Sequence, residues 1–159
     1  NLEEFAEARR WCDEGRGRFP ADSRFVVCQL FVLVSIPDLE PDVGRAWRLA
    51  DSLRIVVSAR NRDHFDIYGT VLAAKVVARA GLADSARSVL DRAAGPDPPE
   101  WLTYDLAHAY LLLGDRPRAL EHLERYVAFD PSGREFLGND WWFRPLRGDP
   151  RFERLLRGG

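Results

Sequence analysis

The sequence predicts an all-α fold of stacked antiparallel helical hairpins closed by an aromatic segment, and three observations carry that prediction. Apolar residues recur at three- and four-residue steps along almost all of the 159 residues, the spacing of one helix face. Two stretches, ARAGLADSARSVL from Ala78 and AYLLLGDRPRALEHL from Ala109, interrupt the pattern in the same way, at Gly81 and at Gly114, 33 residues apart. Near the C-terminus, NDWWFRPLRGDPRFERLL gathers large apolar side chains of the kind that cover an open helical face.

Taken in order, the first predicted helix covers residues 2–17, with Glu3, Glu4 and Glu7 on a solvated face. The second covers 22–35. Its run FVVCQLFVLVSI, Phe25 to Ile36, contains Gln29 and at 12 residues is too short to span a bilayer. Val26, Val27, Val32 and Val34 would also suit a strand, but a lone strand has no partner in this chain, so a buried helix is expected. Cys12 and Cys28 lie among apolar neighbours and are expected as buried free thiols, which behave as small hydrophobes. SIPDLEPD, with Pro37 and Pro41, reads as a loop insertion.

Helices follow at 42–59, 63–80 and 83–94. The next, 99–113, carries the stripe Leu102, Leu106, Ala109, Tyr110 and Leu113, and Asp97-Pro98-Pro99-Glu100 offers it a capping carboxylate and an opening proline. Asp115 is placed to cap helix 116–129, whose stripe is Ala119, Leu120, Leu123, Tyr126 and Val127, and Pro117 falls in its first turn. Asp149-Pro150 repeats the start signal for a last helix over 149–157; residues 132–148 are expected to be irregular or 3₁₀-like.

Overlaying the two glycines makes a repeat explicit. Ala74 and Ala107 precede them by seven positions; Ala86 and Ala119 follow at five, Leu90 and Leu123 at nine, and Pro98 and Pro131 at 17. A tight corner needs these residue types. Alanine lets two antiparallel helices nearly touch, glycine takes the left-handed conformation that ends the first, and proline stops the second. One such hairpin buries a single face, so neighbours must stack to complete a core.

These units resemble tetratricopeptide repeats, strongly over Tyr68–Pro131 and more weakly upstream. The resemblance implies a right-handed superhelical array forming one domain. Residues 1–20 would be the second helix of a truncated repeat, with Ala8, Cys12, Gly15 and Pro20 at the family's spacing. Residues 22–59 would be a divergent repeat with a loop insertion, 63–98 and 99–131 full repeats, and 132–159 a C-terminal cap. Tyr126 stands where the family usually has alanine. The tail is similar to strings that close the repeat regions of bacterial serine/threonine kinases and adenylate cyclases. Trp141, Trp142, Phe143, Leu146, Phe152, Leu155 and Leu156 are its capping residues.

Chemistry is sparse. The histidines are His64, His108 and His122, and neither they nor the cysteines form a metal-ligand or nucleophile pattern; no phosphate-binding glycine loop is present. No catalytic residue, metal or cofactor is therefore expected, and the protein is not expected to be an enzyme. A net charge of −2 gives no long-range attraction to nucleic acid. Arg134, Arg144, Arg147, Arg151, Arg154 and Arg157 cluster near the end, but Glu135, Asp140, Asp149 and Glu153 interrupt them, so a phosphate-tracking surface is not expected. Arginine over lysine, with Lys75 the one lysine among 23 basic residues, fits a GC-rich genome.

What remains is the groove that the resemblance implies, binding a protein or peptide. Matching units places Tyr68, Val71, Lys75 and Arg79 on it from one helix and Tyr104, His108 and Leu111 from the next, with Trp101 at the rim. The asparagines that clamp a terminal carboxylate in the co-chaperone branch have no counterpart. The expected role is a non-catalytic, cytoplasmic interaction module without a membrane span, the C-terminal regulatory region of a larger bacterial signalling protein. The alternative is a scaffold or adaptor subunit of an assembly or secretion complex. The absence of methionine suggests a piece of a longer or processed chain.

Overall fold

A computed structural model describes residues 2–158, with side chains from Glu4 onward; the expectation for Glu3 lies outside the described residues. Among them the chain is helical, with no strand. The helices are α1 (Leu2–Arg18), α2 (Ser23–Ser35), α3 (Val43–Val56), α4 (Arg62–Arg79), α5 (Ala83–Ala94), α6 (Thr103–Leu112), α7 (Arg116–Phe129), α8 (Gly133–Asn139) and α9 (Pro150–Arg157). They fall into two compact units, Asn1–Ala93 and Ala94–Gly159.

In the first unit the valine-rich run is helical, as expected. Asp22 accepts the Arg24 N–H to start α2, and Val26 and Leu30 are fully buried on it. Helix α1 crosses α2 closely because Gly15 has no side chain: a Cβ there would lie 2.0 Å from the Phe25 ring. One turn away, Cys12 and Cys28 form a disulfide across a Cα–Cα distance of 5.5 Å. This corrects the expectation of free thiols. The two cysteines stand on facing sides of the crossing that Gly15 permits, a distance that sequence spacing alone does not reveal. Asp13 adds a polar tie, accepting from Gln29 (2.7 Å) and from Arg45 of α3 (3.1 Å). Helices α3 and α4 approach in the same manner. A Cβ on Gly69 would stand 3.0 Å from Leu53 Cδ1 and 3.4 Å from the Ala50 backbone.

The two predicted corners have equivalent geometry. Gly81 has φ +76° and Gly114 φ +73°. Around Gly81, its N–H bonds to Ala78 O and the Leu82 N–H to Val77 O; around Gly114, its N–H bonds to Leu111 O and the Asp115 N–H to Tyr110 O. Each is the paired closure of a helix by a left-handed residue. Ala74, Ala86, Ala107 and Ala119 are all fully buried.

In the second unit, α6 and α7 pack as a hairpin, and Asp115 caps α7 through the Arg118 N–H (3.3 Å). Asp149 caps α9 through Arg151 (2.8 Å), also as expected. Asp97 does not cap. It pairs instead with Arg125 (3.0 Å), and α6 starts at Thr103 behind a 3₁₀ turn over Glu100–Leu102. Helix α8 was not expected within 132–148; the 3₁₀ turn over Trp141–Leu146 was. A Cβ on Gly133 of α8 would lie 2.6 Å from the Tyr126 ring, so glycine there makes room for the tyrosine. Phe143, Leu146, Phe152 and Leu137 close over Leu120, Leu123 and Val127 of α7. Burying each such side chain contributes about 1.5–3 kcal/mol. Trp141 stays 37% exposed and caps little.

Candidate functional site

The residues expected to line a groove are mostly committed to the fold. On α4, Val71 and Lys75 are both 0% exposed, so no ligand reaches that ammonium. Arg79 turns back on its own unit. Its guanidinium donates to the carbonyls of Leu33, Ile36 (2.6 Å), Pro37 (3.0 Å) and Leu39 (2.9 Å), and burial holds it below the ordinary arginine value. The loop insertion exposes carbonyls that no helix satisfies, and Arg79 satisfies them. Tyr68 and Arg79 are half-buried, the Tyr68 ring lying among His64 and Phe65 at the start of α4.

On α6 the C-terminal cap has taken the face. Tyr104 donates its hydroxyl to Asp140, which also accepts the Trp142 N–H (2.9 Å) and so starts the 3₁₀ turn. Burial first, then the bond to Asp140, raises the Tyr104 hydroxyl far above its ordinary value. His108 is 4% exposed and stacked on Trp142 with ring centroids 4.0 Å apart. Leu111 packs half-buried against the same core, and Trp101 sits half-buried in the preceding turn. Stripe periodicity marks a face as apolar; it does not say whether a ligand or the chain itself covers it.

An open cleft does exist in the first unit, on another face of α4. Asp66, Ile67 and Thr70 form its floor, Trp47 of α3 one wall, and Val89, Arg92 and Ala93 of α5 the other, around about 560 Å³. At 100° per residue, this floor points roughly 140° away from the expected stripe of Tyr68, Val71, Lys75 and Arg79. Asp66 is paired with Arg54 (3.0 Å), and Arg92, which lines the cleft, donates its Nε to Ser88 O (3.3 Å). The cleft thus has apolar walls at Trp47, Val89 and Ala93, a floor that includes Asp66 tied to Arg54, and the cation Arg92. Its signal in the sequence was slight: Trp47, Ile67 and Val89 border the buried stripes without belonging to them.

Among the described residues no group of three or more His, Cys, Asp or Glu is placed to hold a metal ion, and no helix is long and apolar enough to cross a membrane. Comparison of the chain with protein-family models, curated proteins and solved structures found no match.

Proposed function

We propose that this chain is a protein-interaction module of tetratricopeptide-like hairpins that binds a short partner segment in the α3–α4–α5 cleft. The observation that carries the reading is the cleft's chemistry: an aromatic and aliphatic slot with Arg92 at its edge. It suits an extended segment placing an apolar side chain between Trp47 and Val89, with a carboxylate nearby. The matching corners at Gly81 and Gly114 support the hairpin family on which the reading leans.

Peptide-display selection on the full chain tests it. A random library should enrich an apolar residue followed by an acid. The selected peptide should bind at least tenfold more weakly to Thr70→Arg, which fills the slot, and to Arg92→Glu, which inverts the rim, the range expected of interface anchors. Equal binding to both variants would refute the site.

Regulation within a larger bacterial signalling protein is the role that the tail's resemblance supports. One observation favours the second reading, a scaffold or adaptor of an assembly or secretion complex. The Cys12–Cys28 disulfide belongs to oxidising surroundings, and the reducing cytoplasm would not maintain it.

A further inference from the structure

The six arginines near the C-terminus are too interrupted to track a nucleic-acid backbone, yet the second unit does not scatter them evenly. Arg147 donates to Gly138 O (3.1 Å), and Arg144 and Arg157 are exposed. Arg134 of α8 and Arg151 and Arg154 of α9 instead line one cleft of about 310 Å³, with Glu124 of α7, Leu155 and Gly158.

Three features make this cleft more than a charged surface. Glu124 accepts Nε and Nη2 of Arg151 at 3.0 and 2.8 Å, so one carboxylate neutralises one guanidinium and two positive charges remain. The Arg134 Nε is buried without an acceptor. Gly158, with φ +89°, ends α9 beside Arg134: a Cβ there would stand 3.8 Å from Arg134 Cζ, so the end of α9 and the Arg134 guanidinium adjoin. Cations in the last turn of α9 would answer the helix's carbonyl end whatever else they did. That accounts for Arg154, but not for Arg134, which arrives from another helix to line the same cleft.

We infer that this cleft is a subsite for a phosphate-monoester dianion. Its double charge matches the two uncompensated guanidinium groups, and planar arginine forks bind phosphate oxygens through paired N–H donors. Leu155 supplies an apolar wall for the atoms attached to the ester oxygen. The site lies in a different unit from the peptide cleft and does not depend on it.

Calorimetric titration of the full chain in low-salt chloride buffer tests the inference with phenyl phosphate, benzoate, inorganic phosphate and a phosphoserine tripeptide as probes. Phenyl phosphate should bind one saturable site at least tenfold more tightly than benzoate, and affinity should fall with added salt. Arg134→Gln and Arg154→Gln should each weaken it several-fold, whereas Arg144→Gln, outside the cleft, should not. If Arg134→Gln unfolds the unit, the exposed Arg154 still gives the answer. Tighter binding of the phosphopeptide than of inorganic phosphate would identify a modified partner as the source, and equal binding a free metabolite. No saturation at millimolar phenyl phosphate, benzoate binding as well, or indifference to Arg154→Gln would each overturn the assignment.

Discussion

Gly114 has nothing within 4 Å of where a Cβ would stand, so replacing it changes backbone energy and not packing. With φ +73°, Gly114→Val should lower stability by more than about 1 kcal/mol in urea denaturation, and Gly114→Asn by distinctly less, because asparagine tolerates the left-handed region. Equal losses would mean the corner is held by something other than conformation. His122 offers a second residue-level expectation. Its ring stacks on Tyr110 at 5.3 Å, and burial holds its pKa below the ordinary 6.5; Glu121 opposes that shift, and Arg125 and Arg118 add to it. The unfolded chain therefore binds a proton at this position that the folded chain refuses. Stability from the neutral ring is complete above about pH 6.5 and is lost as pH falls towards the folded value. Melting temperature should drop on acidification below that point, and His122→Phe, which keeps the stack, should flatten the drop. Residue identity alone could not reveal Lys75's burial: one cation in an apolar helix looks the same from the sequence whether it faces solvent or core.

Helix α1 shows how one covalent bond can decide an element's fate. Of its residues from Glu4 onward, only Cys12 and Gly15 are buried, and Trp11 is 60% exposed, so few apolar side chains hold it on α2. Closing a loop of this length stabilises by about 3 kcal/mol in the chain-entropy account. Reduction, or Cys12→Ala with Cys28→Ala, should accelerate amide exchange in α1 well before α2–α4, as followed by mass spectrometry. Unchanged protection would show that the Gly15 crossing and Asp13 suffice. At the junction of α7 and α8, Gly133→Ala should destabilise by roughly 1–3 kcal/mol through overpacking against Tyr126, and adding Tyr126→Ala should recover part of the loss. At this scale the sequence was most legible where a capping aspartate or left-handed glycine marked a boundary, as at Asp115, Asp149, Gly81 and Gly114. It misled where a side chain had a distant alternative, as when Arg125 drew Asp97 away from the start of α6. Helix α8 escaped notice because it is seven residues long, contains two glycines and turns Phe136 outward, leaving little periodicity to detect.

At the scale of the whole chain, the repeat pattern runs on through a sequence whose helices form two compact units, because periodicity records which residues are buried and not which buried residues belong together. The candidate groove illustrates the same limit. Its α6 members were legible as an apolar face, but their cover, the turn of Trp142 and Phe143, lies more than 30 residues along and is fixed by the Tyr104–Asp140 bond. The unit-1 cleft is defined by Trp47, Ile67 and Val89 from three helices, which no single stripe brings together. Separate units should also fail separately. Phe143 is fully buried in the core of residues 94–159, and Phe143→Ala should cost about 3–5 kcal/mol in the unit that loses the ring. Hydrogen exchange should then rise through α6, α7 and α9 while α2, α3 and α4 keep their protection, since cooperative units open independently when their cores are distinct. A uniform rise in both units would mean that one cooperative core spans the chain.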